Sequence, residues 1–398
     1  MSDKKKSGYG QNTILAHAGL NPEENHGVVN PPVYHASTIT FPTLEQFETR
    51  DKPPYSGPQY GRSGTPTQFA FEAVVTALHG GHKSVSYPSG LAAIAGAMNT
   101  FVQHGDHVLV ADTVYGPTRS RVSGNILKRA GVEVEFYDPH IGAGIKDLLR
   151  DNTVVVYMES PGSVTFEVMD VPAIVEAVKG SGAVTLIDNT WASGYFFKPL
   201  AVGVDVVIEA ATKYTVGHSD AMLGTVTVAT EEHYQALKGM ANSFGYHAAP
   251  DDCYLGQRGL RTIGVRLEQH QKNALEVATW LQGRDEVQRV MYPALPDDPG
   301  HALWKRDFTG ASGLFGVELV DAPKAAVAAM LDSYDLFGIG ASWGGYESLA
   351  IASYPAKIRT ATPWAGTGPV VRYHIGLEDP ADLIDNLAVG FEKFNAAR

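Results

Sequence analysis

With 398 residues, 44% of them apolar and 19% charged, the chain has the make-up of a folded globular protein long enough for two or three domains. A formal net charge of −12 speaks against a nucleic-acid surface, and the single cysteine, Cys253, excludes an internal disulfide and fits a reducing compartment. No apolar run reaches the roughly 18 residues of a membrane span, and no apolar stretch follows the basic Met1–Gly8. A cytoplasmic protein without a membrane partner is therefore expected.

Residues 1–63 read as an arm. They are rich in Pro, Gly, Asn and Tyr, are broken at Pro31-Pro32, Pro53-Pro54 and Gly57-Pro58, and lack a sustained period. Their aromatic content is high for a disordered tail, so a segment wrapping a neighbouring subunit is expected. The arm ends in Tyr60-Gly-Arg-Ser-Gly-Thr-Pro-Thr67. Thr65 is placed as N-cap and Pro66 as first turn of a helix that carries Phe71, Val74, Val75 and Leu78.

A short strand then ends at Pro88, and the turn Ser89-Gly90 opens an Ala-rich helix at Leu91. Free amides and a positive dipole end make such a helix start a phosphate site. A tight cap that needs a glycine is the other reading. From 107 to 210 strands and helices alternate. Strands are expected at His107–Ala111, Val132–Phe136, Thr153–Met158, Val184–Ile187 and Val206–Ile208, and helices near Thr118–Ala130 and Val171–Val178. Short continuous apolar strands in a βαβ rhythm predict a mostly parallel sheet covered by helices. Ligands of such sheets gather at the carboxyl ends of the strands, where Tyr115, Glu159-Ser160, Asp188-Asn189-Thr190 and Lys213 fall.

Asp188 ends Val-Thr-Leu-Ile, so its carboxylate should be largely buried and needs a partner. A protonated pyridine nitrogen would serve; a helix cap or an ion pair would too. Lys213 follows a buried strand and lies among Thr212, Tyr214, Thr215 and Ser219 rather than among charges. Such surroundings lower an amine's pKa and suit a Schiff-base former, although an ordinary strand-end lysine remains an alternative.

Beyond residue 225 the pattern turns from sheet to helix, with an irregular loop at Phe244–Pro250 and a long helix through about Leu281. The arginines of the stretch 257–266 read as solvated charges. The last third reads as a separate α+β unit. It has strands near Gly313–Leu319 and Val370–Ile375, helices near Pro323–Leu331 and Pro380–Phe394, a loop at Gly340–Ser348, and another holding Pro293, Pro296 and Pro299. Strand alternation puts Arg372 on one face with His374. There it would meet a substrate carboxylate or an internal acid. His79-Gly-Gly-His82 lacks supporting ligands, so no metal site is expected, and Cys253 reads as structural.

Taken together, Ser89-Gly90-Leu91, Tyr115, Asp188, Thr212-Lys213 and Arg372 come in the order of a known set. From about Thr13 onward the chain resembles the Cys/Met-metabolism family of pyridoxal-phosphate enzymes. The most specific motifs are residues 60–67, Ile-Asp-Asn-Thr-Trp (187–191), Ala-Thr-Lys-Tyr-Thr-Val-Gly-His-Ser-Asp (211–220) and Ser-Trp-Gly-Gly-Tyr-Glu-Ser-Leu (342–349). Within the family it is similar to the bacterial β-lyase branch. Ala210, Gly162-Ser163 and Trp343 stand where many relatives carry Ser, Thr-Asn and, for γ-chemistry, Leu.

The resemblance implies the type I aminotransferase-like α/β fold. An arm (1–63) would precede a large domain with a mostly parallel seven-stranded sheet (64–258) and a smaller α+β C-terminal domain (259–398). It implies pyridoxal 5'-phosphate as a Schiff base on Lys213, with Asp188 on the ring nitrogen and Tyr115 stacked on the ring. Ser89, Gly90, Leu91 and Thr212 would hold the phosphate, together with Tyr60 and Arg62 from a neighbouring subunit. Arg372, Ser342, Trp343 and Tyr60 would hold the substrate. The implied reaction is β-elimination of L-cystathionine to L-homocysteine, pyruvate and ammonia, in methionine biosynthesis, by a homotetramer built from active-site-sharing dimers. The alternatives are a family lyase for cystine, cysteine S-conjugates or methionine, and a non-catalytic regulator that kept the fold. The loop Asn242–Asp252 is the expected pocket for the substrate's distal amine.

Overall fold

The computed structural model describes residues 8–50 and 57–398. Met1–Ser7 and the Pro53-Pro54 breaker lie outside the described residues.

The short apolar runs form the large sheet. Its strands are β1 (Lys83–Tyr87), β2 (His107–Ala111), β3 (Glu133–Tyr137), β4 (Thr153–Glu159), β5 (Val184–Asp188), β6 (Val206–Glu209) and β7 (Gly224–Val228). They pair in the order β1-β7-β6-β5-β4-β2-β3. The five strands from β6 to β3 are parallel, and β7 is antiparallel to both of its neighbours. All strands but β7 therefore end on one edge. In β4, Val155, Val156, Tyr157 and Met158 are each 0% exposed, because helices cover the sheet. That is why this strand shows no polar alternation. Burial of each of these valine and methionine side chains contributes about 1.5–3 kcal/mol relative to an exposed one.

The helix Pro66–His79 packs on β1, and the helix Gly90–Thr100 packs on β6 and β7. The first begins as expected: Gln68 Oε1 accepts from the Thr65 amide at 2.8 Å, and Pro66 is its first residue. The second is capped by Ser89, whose Oγ accepts from the Ala92 amide at 3.1 Å. Residues Thr118–Leu127 wind as a wide π-helix.

A second sheet comprises β8 (Val287–Met291), β9 (Leu314–Leu319), β10 (Leu349–Ser353) and β11 (Val370–His374), in the antiparallel order β10-β11-β9-β8. Sequence reading missed β7, where Gly-Thr-Val-Thr-Val was taken as the turn from sheet to helix, and also β8 and β10. The interior of Val-Gln-Arg-Val-Met is polar and exposed, and Leu-Ala-Ile-Ala-Ser offers small side chains. It also missed the helix His301–Asp307, which has no buried residue and so no apolar stripe.

Two further expectations are corrected. The arm contains the helices Gln11–His17 and Leu44–Thr49, and the first buries Leu15 against the body of the protein. One buried apolar residue is too few to give a period. The arginines of 257–266 are not all solvated. Arg258 is exposed, but Arg266 is buried and donates to the Gly259 carbonyl at 2.8 Å, and Arg261 donates to the Leu15 carbonyl. They tie helix ends and arm together.

The two sheets are joined at Asp112, just beyond β2. Its carboxylate accepts from the amides of Thr360, Ala361 and Thr362 at 2.9–3.1 Å, which docks the strap before β11 onto the large domain.

Candidate active site

The common edge of the strands faces the second sheet across a cavity of about 470 Å³. Ser89, Gly90, Leu91, Tyr115, Asp188, Thr212, Lys213, Ser342, Trp343 and Arg372 all line it, so ten of the expected site residues meet in one place. Tyr60 and Arg62 do not. In this chain the Tyr60 hydroxyl lies 3.4 Å from Ser37 Oγ, and Arg62 Nη1 donates to the Asn242 carbonyl at 2.7 Å. Arg62 and Asn242 line a separate cleft with His247.

Lys213 is presented by a single turn after β6, in which its amide donates to Ala210 O at 3.0 Å and its carbonyl accepts from Gly217 at 2.8 Å. Tyr214, fully buried beneath it, packs edge-on against His270 and tilted against Trp343. Lys213 Nζ donates to Ser342 Oγ at 2.6 Å and stands 5.3 Å from the Trp343 ring centre. Burial first, and then the Arg372 guanidinium, pull its pKa down to about 8, against the pull of Asp188. The Ser-Trp-Gly-Gly motif is explained by this approach. Gly344 has φ +90°, and a Cβ there would fall 2.9 Å from the Lys213 carbonyl carbon.

Asp188 ends β5 and is 7% exposed. Its Oδ1 accepts from the Thr190 amide at 3.0 Å and the Thr190 hydroxyl at 2.5 Å. Burial raises its pKa to about 6, although the Thr190 bonds lower it. Thr190 Oγ1 in turn accepts from the Ala210 amide at 2.9 Å, which links the ends of β5 and β6. Sequence reading placed Thr190 in the polar cluster without a role; a Thr two residues after a strand-ending Asp was the available signal.

Arg372 lies in mid-β11, opposite Gly316 and Ile351. Its Nη2 donates to the carbonyls of Ser342 at 3.0 Å and Ala341 at 3.4 Å. Burial lowers its pKa to about 10, so it stays charged. Among the described residues it has no acidic partner within salt-bridge distance, which removes the internal ion pair as the reason for its burial. The side chain of Tyr115 is 44% exposed at the rim, while its amide donates to Glu159 Oε2 at 2.7 Å.

The amides of Gly90 and Leu91 find no acceptor among the described residues. A Cβ on Gly90 would fall 2.4 Å from the Ala210 Cβ, so the helix end reaches the end of β6 only as glycine. Thr212 departs from expectation: its hydroxyl donates to Leu223 O at 3.0 Å and accepts from Leu223 N at 2.9 Å. Its bonding capacity goes first to that backbone.

Residues 12–392 match the family described as Cys/Met metabolism PLP-dependent enzyme. The chain belongs to this family. It is 50% identical over 391 residues to a putative cystathionine beta-lyase of Rhizobium johnstonii, covering 97% of each chain. It is 44% identical to the cystathionine beta-lyase of Escherichia coli over 99% of this chain and 100% of that one. Among solved structures it resembles a cystathionine gamma synthase from Xanthomonas oryzae pv. oryzae in complex with cystathionine. That likeness has a TM-score of 0.88 and 32% identity over 98% of this chain and 100% of the other.

The cavity fits the family's cofactor, pyridoxal phosphate. It offers an amine of lowered pKa, a buried carboxylate with no described partner on Oδ2, and free amides at a helix N-terminus.

Proposed function

We propose that the protein is a carbon–sulfur β-lyase that cleaves L-cystathionine to L-homocysteine, pyruvate and ammonia, a step of methionine biosynthesis. The observation that carries this reading is the pair Lys213 and Arg372 lining one cavity: a lysine of lowered pKa and a buried guanidinium that has no acidic partner among the described residues. Names of relatives along the whole chain support the choice of substrate.

The chemistry that bound pyridoxal phosphate supplies is an aldehyde that condenses with amines and a ring that accepts electrons from Cα. The chain does the rest. Arg372 binds the α-carboxylate as a fork. Lys213, uncharged in part near neutral pH, takes the proton from Cα. Asp188 holds a proton on the ring nitrogen, since its buried carboxylate is stabilised by a cation. The Gly90 and Leu91 amides hold the phosphate, with Ser89 fixing the helix start and Thr212 beside them. Tyr115 covers the open side. Trp343 and Ser342 border the substrate.

The same reading includes a neighbouring subunit whose Tyr60 and Arg62 complete the phosphate and substrate sites, in a homotetramer of site-sharing dimers located in the cytoplasm. It divides the chain into arm (1–63), large domain (64–258) and small domain (259–398). Val28, Val29 and Leu44 of the arm are 56%, 63% and 69% exposed, which suits a contact surface. Because Arg62 lines a cleft with Asn242, the distal-amine pocket at Asn242–Asp252 belongs to the shared site in this reading. The test is to add L-cystathionine to purified protein, follow the visible spectrum and identify the keto acid. Pyruvate supports the proposal. Absence of any cofactor absorption overturns it and favours a non-catalytic regulator.

A further inference from the structure

Glu159 is a titratable group at this cavity that the mechanism leaves unused. It ends β4 as Asp188 ends β5, and the two are direct register partners. In neighbouring parallel strands such partners project to the same face. Two carboxyl groups therefore sit side by side at a poorly solvated cavity wall, where both cannot be ionised cheaply. Their other partners differ. Asp188 takes two hydrogen bonds from Thr190, which favour its charged form; Glu209 opposes that form and the Lys213 ammonium favours it. Among the described residues Glu159 accepts one hydrogen bond, from the Tyr115 amide at 2.7 Å, and the charged group bearing on it is Asp188. Burial, and then Asp188, hold its carboxyl well above the usual range. The other charged or titratable groups bearing on these residues are Tyr157, fully buried on β4, Glu209 at the end of β6, and Arg372 and Arg121, which bear on Tyr115. The site's shared proton thus rests on Glu159.

We propose that Glu159 is a positioning residue that, as an uncharged carboxylic acid, fixes Tyr115 over the cavity and leaves Asp188 the only ionised carboxylate on that wall. This rests on the cofactor reading above. The Tyr115 backbone has one anchor on each side: its amide on Glu159, and its carbonyl, which accepts from Arg119 at 3.1 Å. Loss of the first frees a rim side chain that is already 44% exposed.

Three variants of the holoenzyme test this. Glu159→Gln keeps an acceptor for the Tyr115 amide and carries no charge. It should keep kcat and KM within about threefold of the parent and leave the acid limb of the kcat/KM profile unmoved. Glu159→Ala removes the acceptor. It should lower kcat at least tenfold and change the visible circular dichroism of the bound cofactor, with KM less affected. Glu159→Asp should fall between the two. If Glu159 is ionised in the parent, removing its charge in Glu159→Gln lowers the acid limb, because a neighbouring anion had been raising it; that shift overturns the proposal. Glu159→Gln as impaired as Glu159→Ala also overturns it, as does a Glu159→Ala protein with parental circular dichroism. Should Glu159→Ala fail to fold, the profile of Glu159→Gln decides alone. A parent protein without visible absorption would refute the cofactor reading instead, so the two failures are distinguishable.

Discussion

Thr190 spends both its amide and its hydroxyl on one oxygen of Asp188, at 3.0 and 2.5 Å, and no described residue bonds the other oxygen. The folded chain thus holds a buried carboxylate only partly satisfied, at a cost to its own stability.

That cost can be measured through Asp188→Asn. The pKa of Asp188 is raised to about 6, against an ordinary 3.8. Between these values the unfolded chain has released the proton and the folded chain has kept it. Stability therefore falls as pH rises through this window, and the full cost, up to about 3 kcal/mol, is present above it. Asparagine escapes this cost and can keep the Thr190 bonds. Stripped of cofactor, Asp188→Asn should melt higher than the parent at about pH 7.5, and the gap should shrink toward pH 4. With cofactor the order should reverse, and turnover should be crippled. Equal melting points of the stripped proteins at both pH values would mean the carboxylate is not strained.

Lys213 carries the opposite kind of shift. With its pKa lowered to about 8, the uncharged amine is scarce at pH 6 and dominant at pH 9. Cofactor uptake by the stripped protein, followed by stopped-flow absorbance, should rise about tenfold per pH unit and level off near pH 8. An ordinary lysine would keep rising to about 10.4. Lys213→Ala should abolish turnover while cofactor still binds through its phosphate. Near-normal turnover in that variant would remove the lysine from the mechanism.

Much of this site was legible because its residues sit at strand ends, where an apolar run stops and a polar residue begins. Asp188, Glu159 and Lys213 are read that way. The parallel strands of the large sheet were legible for the same reason, as continuous apolar runs, whereas antiparallel β7 alternates threonine with valine and was missed. The small sheet was less legible, since β8 carries Gln288 and Arg289 in its exposed middle and β10 is mostly small residues. Burial of Arg266 was not visible either, because its partner is a backbone carbonyl, which leaves no mark in side-chain pattern. The engagement of Thr212 with Leu223 is hidden for the same reason.

Arg62 and Lys213 should complement across chains. Arg62 lines a cleft with Asn242, while Lys213 lines the large cavity, and no described residue lines both. In the shared-site reading an Arg62→Ala oligomer lacks a phosphate contact and a Lys213→Ala oligomer lacks its amine. Mixed oligomers contain sites that draw a sound Arg62 from one chain and a sound Lys213 from another. Co-refolding the two inactive variants should restore part of the parental rate, with hybrids verified by tagged pull-down. Verified hybrids without recovered activity would refute site sharing.

Trp343 should set the direction of elimination. γ-Elimination requires a second deprotonation, at Cβ, so it needs a base free to travel and room beside that carbon. Here Lys213 Nζ is tethered to Ser342 Oγ at 2.6 Å, and the indole of Trp343 stands 5.3 Å from it. The indole is not free to swing away: its ring packs on buried Tyr214 at 5.5 Å, and the next residue, Gly344, is pressed against the Lys213 backbone. A rigid wall at this place favours one substrate pose, with the Cβ–S bond held for direct departure of sulfur once the Cα proton is gone. Trp343→Leu keeps an apolar wall but removes the plane. The pyruvate rate with L-cystathionine should fall about tenfold, equivalent to about 1.4 kcal/mol in the barrier. Stability should change little, because Trp343 is only half-buried. The measurement is chromatographic identification of the keto acid from both proteins. Pyruvate from the parent, and less of it from Trp343→Leu, is the expected result. If the parent gives mainly 2-oxobutyrate and cysteine, the indole does not enforce β-elimination, and the γ-lyase alternative takes its place.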